Sequence, residues 1–256
     1  MRSEPAKPSL VCYAQPEKRK SQRVLQAFAQ GCGGAMASTR DRALHPGAAA
    51  FYGVRPGWMH LWDQARGEAR DWYYIDNAWF DAVREQHFRI ARNAVQACTR
   101  TPSDGRRFNA LGVQVQPWRV QGSRVLVMPQ SAEFLATIGG APDWTAQAVA
   151  RVRQFTDRPI AVRRKNADTP IAADLEDAWI AVVHSSAAAV AALLHGVPVI
   201  ATDPACALAP LATRFEDIES PHRPDDRVAW AERLADSQWT LDEMKAGLAW
   251  RSLHDH

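Results

Sequence analysis

The residues best suited to chemistry sit at three turns in the second half of the chain and one in the first. His184-Ser185-Ser186 follows the apolar run Ile180 to Val183 directly and precedes a helix-like segment. Free backbone N–H groups and two hydroxyls at such a strand-to-helix turn suit a phosphate. Ile160-Ala-Val-Arg163-Arg164-Lys165 ends a second apolar strand in three cations. Arg offers bidentate contact with phosphate oxygens and Lys a point charge. Arg163 and Lys165 fall on one side of an extended chain. A charge run alone is usually a solvated face, and its place after a buried strand argues for a ligand. Val127-Met-Pro129-Gln130-Ser131 leaves a third buried strand at the edge where open parallel sheets bind ligands, although a proline turn with Ser131 as a helix cap accounts for it equally well. In the first half, Trp72 to Phe80 sets Asp76 and Asn77 after an apolar strand, with Trp79 among the flanking aromatics. A carboxylate so placed can take a proton from a hydroxyl; an Asx cap on a turn is the competing explanation. His45, His60 and His87 are secondary candidates for a base, without a comparable setting.

Strand–turn–helix units must position these groups. Ser185 or Ser186 is a helix N-cap, Gly196 a left-handed stop, and Val197 to Ala201 a second strand, which together form a βαβ unit. Upstream, Leu10 to Ala14 is a strand, and a helix runs from Ser21 to Gln30 with Val24, Leu25 and Phe28 on one face. The glycines of Gly31-Cys-Gly33-Gly34 follow a helix, not a strand, so they make a turn and not a dinucleotide fingerprint. Ala48 to Val54, Met59 to Arg70 and Trp72 to Ile75 continue as strand, helix and strand, an α/β half of parallel type. Residues 99–122 are irregular and rich in Arg, Gly, Pro and Gln, which places a boundary there and divides the chain into 1–120 and 121–256. The second half reads as strand Arg124 to Met128, helix Trp144 to Phe155, strand Pro159 to Arg163, helix Pro170 to Glu176 and then the βαβ unit. Arg227 to Trp250 is helical, interrupted near Thr240, where Thr240 and Glu243 have the spacing of a capping box. No internal repeat is present.

At 256 residues with a net charge of +3, the chain has ordinary globular proportions; the charge permits a phosphorylated ligand or nucleic acid without demanding either. Most of the ten tryptophans are expected in the core. Cys12, Cys32, Cys98 and Cys206 lack zinc spacing and suit free thiols in a reducing compartment. There is no secretory signal and no apolar run near the roughly 18 residues that span a bilayer, so a soluble cytoplasmic protein is expected. No D-x-D triplet, G-x-S-x-G elbow or Walker A sequence occurs, and Asp225-Asp226 does not substitute for the first. A metal-free site without a bound cofactor is the expectation.

His184, Ser185, Ser186, Gly196, Pro198 and Val199 form a pattern that resembles the donor-nucleotide segment of GT-B glycosyltransferases, most similar to those of the capsular-polysaccharide and Kdo-transferase type. The resemblance covers about the last half of the chain. It implies an α/β fold of two Rossmann-like halves facing a cleft, a compact GT-B plan with C-terminal helices crossing back. It also implies a metal-independent, inverting transfer of a sugar from a nucleotide sugar to a hydroxyl. Gln130, Ser131, Arg163, Lys165, His184, Ser185 and Ser186 would then hold the donor, Asp76 would be the base, and Asn77, Trp79 and Gln238 would line the acceptor cleft. Many such enzymes carry a Glu in the helix that here has Val190 and Ala191, so the donor is left unnamed.

The acceptor is a surface glycan or a hydroxymethylated base in phage DNA, the latter with Arg100, Arg106, Arg107 and Arg119 against the backbone. A nucleic-acid-binding module and a non-catalytic GT-B-like partner in glycan assembly are the alternatives, and a homo-oligomer stays open.

Overall fold

The computed structural model describes residues 10–54, 56–80, 85–164 and 168–254. It divides into two compact units, Met1–Ala97 with Ser237–His256, and Cys98–Asp236.

The first unit holds a six-stranded sheet in the order β10-β5-β4-β3-β1-β2, built from β1 (Leu10–Ala14), β2 (Ala35–Ser38), β3 (Ala48–Tyr52), β4 (Trp72–Asn77), β5 (His87–Arg92) and β10 (Gln238–Thr240). β1 to β4 are parallel neighbours, whereas β5 pairs antiparallel with β4 and β10 antiparallel with β5. The half is therefore mixed, not purely parallel as the sequence suggests. The link from β4 to β5 spans only residues 78–86, too short for a helical crossover, so the chain turns back on itself. β2 escapes sequence reading because Ala-Met-Ala-Ser is short, small and partly exposed.

Leu10, Cys12 and Ala14 alternate onto one face, where they pack with Val24, Leu25 and Phe28 of α1 (Arg19–Cys32) and with Met244 and Ala249 of α9 (Leu241–Lys245) and α10 (Leu248–Ser252). Burying each large side chain contributes about 1.5–3 kcal/mol. Tyr13 and Phe51 alternate onto the opposite face, and the Phe51 ring stacks on Trp58 at 4.8 Å, beside Trp62 of α2 (Met59–Gly67). A sheet covered on both faces explains why its central strands β1 and β3 are apolar throughout. α1 starts at Arg19, two residues before the expected cap; Ser21 is buried and accepts a 3.2 Å bond from the Gln15 amide. The helix ends at Gly33, whose φ of 70° is left-handed, as the Gly-rich turn predicts.

The second unit holds a parallel sheet, β7-β6-β8-β9, of β6 (Arg124–Val127), β7 (Ile160–Val162), β8 (Ala178–Val183) and β9 (Val199–Ala201). Around it lie α3 (Arg106–Ala110), α4 (Ala132–Thr137), α5 (Trp144–Val152), α6 (Ile171–Leu175), α7 (Ala188–Leu194) and α8 (Arg227–Asp236). Val125, Val127, Ile180, Val182 and Ile200 meet Trp144, Ala148 and Val152 in its core.

The unit limits differ from the division at residue 120. Residues 98–120 belong with the second sheet: Gln116 N–H donates to Leu194 O at 2.8 Å and Arg119 N–H to Gly196 O at 2.8 Å. Their irregular composition hid this, because the bonds are made by backbone and not by a patterned side-chain face. The break near Thr240 is a strand, β10, that joins the first sheet, and the Thr240–Glu243 capping box forms as its spacing predicts. Among the described residues no helix is long and apolar enough to cross a membrane.

Candidate functional site

In the second unit, chain order and sheet order diverge between β6 and β8. From β6 the chain moves outward to β7, then returns to the other side of β6 to build β8 and β9. Open sheets bind ligands outside the carboxyl ends of the strands at such a point. Gln130 lies just beyond β6 and His184-Ser185 just beyond β8. The Gln130 side-chain carbonyl accepts from the Ser185 amide at 3.0 Å and from its hydroxyl at 3.3 Å. Ser185 is fully buried, so its hydroxyl serves this bridge and not open solvent.

His184 lies 3.3 Å from the Ser185 hydroxyl through Nδ1, and its ring edge faces Trp144. Trp144 in turn donates to Thr202 beyond β9 at 2.8 Å. Burial pushes the His184 pKa below its usual 6.5, partly offset by Asp203, so the imidazole is neutral at pH 7. Ser186 accepts from the Ala188 amide at 3.2 Å and so helps close the first turn of α7; the helix proper begins after Ala187, one residue later than the expected cap.

The remaining donor-side candidates are engaged elsewhere. Ser131 caps α4, accepting from the Phe134 amide at 3.3 Å, as the simpler of its two readings has it. Arg163 is ion-paired with Asp174 of α6 and donates to the Thr169 carbonyl at 2.7 Å. Lys165 lies outside the described residues. Beyond the carboxyl ends of β6 and β8 the structure thus brings together Gln130, His184 and Ser185, with Ser186 adjoining.

In the first unit, Asp76 sits within β4, not after it, because β4 runs on to Asn77. It faces Arg89 across the β4–β5 ladder. Arg89 Nη2 donates to Asp76 Oδ2 at 2.7 Å, the Tyr74 hydroxyl donates to the same oxygen at 3.0 Å, and the Asn77 amide donates to Oδ1 at 2.8 Å. Three donors occupy most of the roughly four lone-pair positions of a carboxylate and leave one on Oδ1. Arg89 is buried and its guanidinium stacks 4.5 Å above the Trp79 ring. Trp79 is itself buried, so it is a core ring and does not present a surface to an acceptor. Its amide donates to Gln238 Oε1 at 3.1 Å, and Asn77 Oδ1 accepts from the Tyr52 hydroxyl at 3.0 Å. All four first-unit candidates thus gather around Arg89.

Of the alternative bases, His45 pairs with the Asp41 carboxylate at 2.9 Å and His60 with the Asp41 carbonyl at 2.8 Å. Of the arginines considered for DNA, Arg119 donates to the Glu176 carbonyl and Arg106 pairs with Asp104 at 3.3 Å. Among the described residues no group of three His, Cys, Asp or Glu side chains is arranged to hold a metal ion.

Sequence reasoning missed Arg89, Asp174 and Trp144. Arg89 lies in a run, His-Phe-Arg-Ile-Ala-Arg, whose cation count conceals a strand. Asp174 and Trp144 look like ordinary helix residues until the fold shows what they face.

No protein-family model matches the chain, and no curated protein matches it in sequence. Among solved structures, the Thermosulfurimonas dismutans KpsC, a beta Kdo 2,7 transferase, is similar in fold. Its TM-score is 0.55 at 12% identity, over 94% of this chain and 98% of that one. The beta Kdo 2,4 transferase of the same organism's KpsC gives 0.45 at 11% identity over 90% and 89%, too loose a likeness to argue from. The fold of the chain is similar to that of this 2,7 transferase.

Proposed function

We propose that this protein is a metal-independent glycosyltransferase of GT-B type that moves a sugar from a nucleotide-sugar donor to a hydroxyl acceptor, with inversion. One observation carries most of the weight: Gln130 ties the loop after β6 to the turn after β8 where the strand order reverses. A fold shared with a transferase over nearly the whole chain adds to it.

In this reading the second unit holds the donor. Turn amides near Ser186, and neutral His184, donate to phosphate oxygens and stabilise the charge that grows on the leaving nucleotide. Arg163, its charge met by Asp174, keeps donor capacity beyond that spent on Thr169 and Asp174, and Lys165 adds a cation. The first unit holds the acceptor at Asp76. The acceptor oxygen bonds to the anomeric carbon as the bond to the donor phosphate breaks, and its proton passes to the carboxylate. Arg89 fixes that carboxylate in orientation. Gln238 holds the Trp79 amide just after β4, and Asn77 is tied to the Tyr52 hydroxyl.

A thermal-shift panel of UDP, GDP, ADP, CMP and their sugar conjugates, with and without EDTA, tests this, because a ligand of the native state raises the melting temperature by mass action. Stabilisation by one nucleotide class, indifferent to EDTA, is expected. Silence from all of them, or dependence on metal, overturns it. The neighbour's name makes Kdo one sugar to include. A duplex DNA arm addresses the phage-DNA acceptor and the binding-module alternative.

A further inference from the structure

We propose that a notch between Gln15 and Asp76, at the carboxyl edge of the first sheet, binds a saccharide through two of its hydroxyls. Chain order and sheet order diverge in this unit too. From β1 the chain moves outward to β2, then returns to the other side of β1 to build β3 and β4. The space outside the carboxyl ends of β1 and β3 is therefore a second place where an open sheet binds ligands.

The register says which residues stand there. Cys12 of β1 pairs with Ala50 of β3, and Tyr52 of β3 with Ile75 of β4. Continued past the strand ends, these rows set Gln15, Gly53 and Asp76 side by side. The Gly53 amide donates to the Ile75 carbonyl at 2.9 Å, as a continued parallel ladder requires. With neighbouring strands about 4.8 Å apart, about 10 Å separates the backbones of Gln15 and Asp76. Gly53 lies between them with a φ of 64°, and nothing stands within 4 Å of where its Cβ would be. Alternation puts Gln15 on the face of Tyr13 and Asp76 on the face of Tyr74. Both belong to the face on which Phe51 stacks against Tyr13, so buried rings form the floor of the notch.

The polar groups at its two ends name the ligand. Gln15 is 6% exposed, and its backbone is tied: its amide donates to the Ser21 hydroxyl at 3.2 Å and its carbonyl accepts from the Lys18 amide at 3.1 Å. Its side-chain amide has no hydrogen-bond partner among the described residues, yet solvent still reaches it. A polar group so deeply buried costs free energy unless it is hydrogen-bonded, so one left open at a ligand-binding edge points to a ligand. It offers two donors and an acceptor, and Asp76 Oδ1 keeps one acceptor position. Sugar hydroxyls donate and accept, and so match both ends. A phosphate matches neither well: it would meet the Asp76 carboxylate, while Arg89 is spent on Asp76 and the Asn77 carbonyl. That the saccharide is the acceptor of the transfer rests on the proposed function; that it binds here does not.

NMR on the 15N-labelled full chain tests the site, with the methyl glycosides of glucose, galactose, mannose and N-acetylglucosamine as probes. The variant is Gln15→Met, similar in shape but without the amide. At least one glycoside should shift the Gln15 side-chain amide pair, assigned by its loss in the variant, together with the Gly53 amide. The same glycoside should bind the variant roughly tenfold more weakly. Gln15→Met should melt no lower than wild type, since it removes a buried polar group that no protein group satisfies. The Gly53 amide, read on wild type alone, keeps the test independent of how the variant folds. No glycoside bound by the wild type, shifts that spare Gln15 and Gly53, or equal affinity in the two proteins overturns the proposal. So does tighter binding of glucose 6-phosphate than of methyl glucoside in the notch. Nucleotide silence with glycoside binding intact strikes only the transferase reading; nucleotide binding with Gln15 and Gly53 unmoved by every glycoside strikes only this one.

Discussion

The two candidate sites are built on opposite physical plans. In the second unit the groups stand on loops beyond the carboxyl ends of parallel strands, are neutral, and are held by hydrogen bonds that Ser185 donates to Gln130. In the first unit Asp76 and Arg89 are charged and face each other inside an antiparallel ladder, with Tyr74 and Trp79 packed around them. A neutral hub on loops is cheap to desolvate, and in the proposed reading the turn amides not spent on Gln130 or Ser186 meet the leaving phosphate. A charge pair inside a sheet is rigid and holds one carboxylate oxygen in a fixed direction, as a proton acceptor requires. The pair also does structural work, so its loss should be felt in folding, whereas damage to the hub should be felt mainly in binding.

The hardest blow to this contrast falls on neither hub nor pair. Gly196 has φ of 76°, and a Cβ there would lie 2.0 Å from the Pro117 carbonyl. Left-handed strain of about 1–2 kcal/mol and overpacking of about 1–3 kcal/mol predict that Gly196→Ala costs roughly 3 kcal/mol. Limited proteolysis should then find cleavage within Cys98–Asp236, and nucleotide binding should vanish with the fold. A stable variant that has lost binding would make Gly196 part of the site and not of its scaffold.

Next in size is Arg89→Met, which leaves Asp76 without its counter-charge and should cost about 3 kcal/mol, toward the low end for a broken buried pair because Asp76 keeps some solvent contact. Asp76→Leu combined with Arg89→Met should recover much of that in chemical denaturation, and the cycle isolates the pair. Additive losses would show that the two act separately.

Gln130→Ala removes the acceptor of two Ser185 donors and should cost about 1–3 kcal/mol while weakening the nucleotide about tenfold. Thermal shift with the best nucleotide reads both effects; a stable variant with full affinity would reduce Gln130 to a bystander.

The smallest effect is that of pH. Because burial lowers the His184 pKa from 6.5, the unfolded chain takes up its proton first as pH falls, so stability is full above about 6.5 and declines below it until the folded site is protonated too. His184→Gln should flatten the difference in melting temperature between pH 7.5 and pH 5.5 measured on wild type; an unchanged difference assigns the decline to other groups.

What was legible in the sequence follows a simple divide. Periodicity and turn chemistry identified β1, α1's apolar face, the Gly33 stop, the Thr240 capping box and the βαβ unit through β8 and β9, since these are local. The antiparallel addition of β5 and β10 was not legible, because it depends on partners distant in sequence. The same holds within the sites. His184 and Ser185 are readable because a strand ends there. That Arg163 would answer Asp174 and Asp76 would answer Arg89 is not, because an ion pair is settled by tertiary placement and a lone cation looks available until its partner is known. Trp79 shows the same limit: its aromatic neighbourhood fits a stacking surface and a core equally, and only burial decides.

The most direct test of the division of labour is calorimetric titration of the stabilising nucleotide into wild type, Gln130→Ala and Asp76→Asn. The account predicts affinity reduced about tenfold by Gln130→Ala and unchanged by Asp76→Asn, with sugar transfer lost in the latter. Affinity lost with Asp76→Asn and kept with Gln130→Ala would place the donor in the first unit and contradict it.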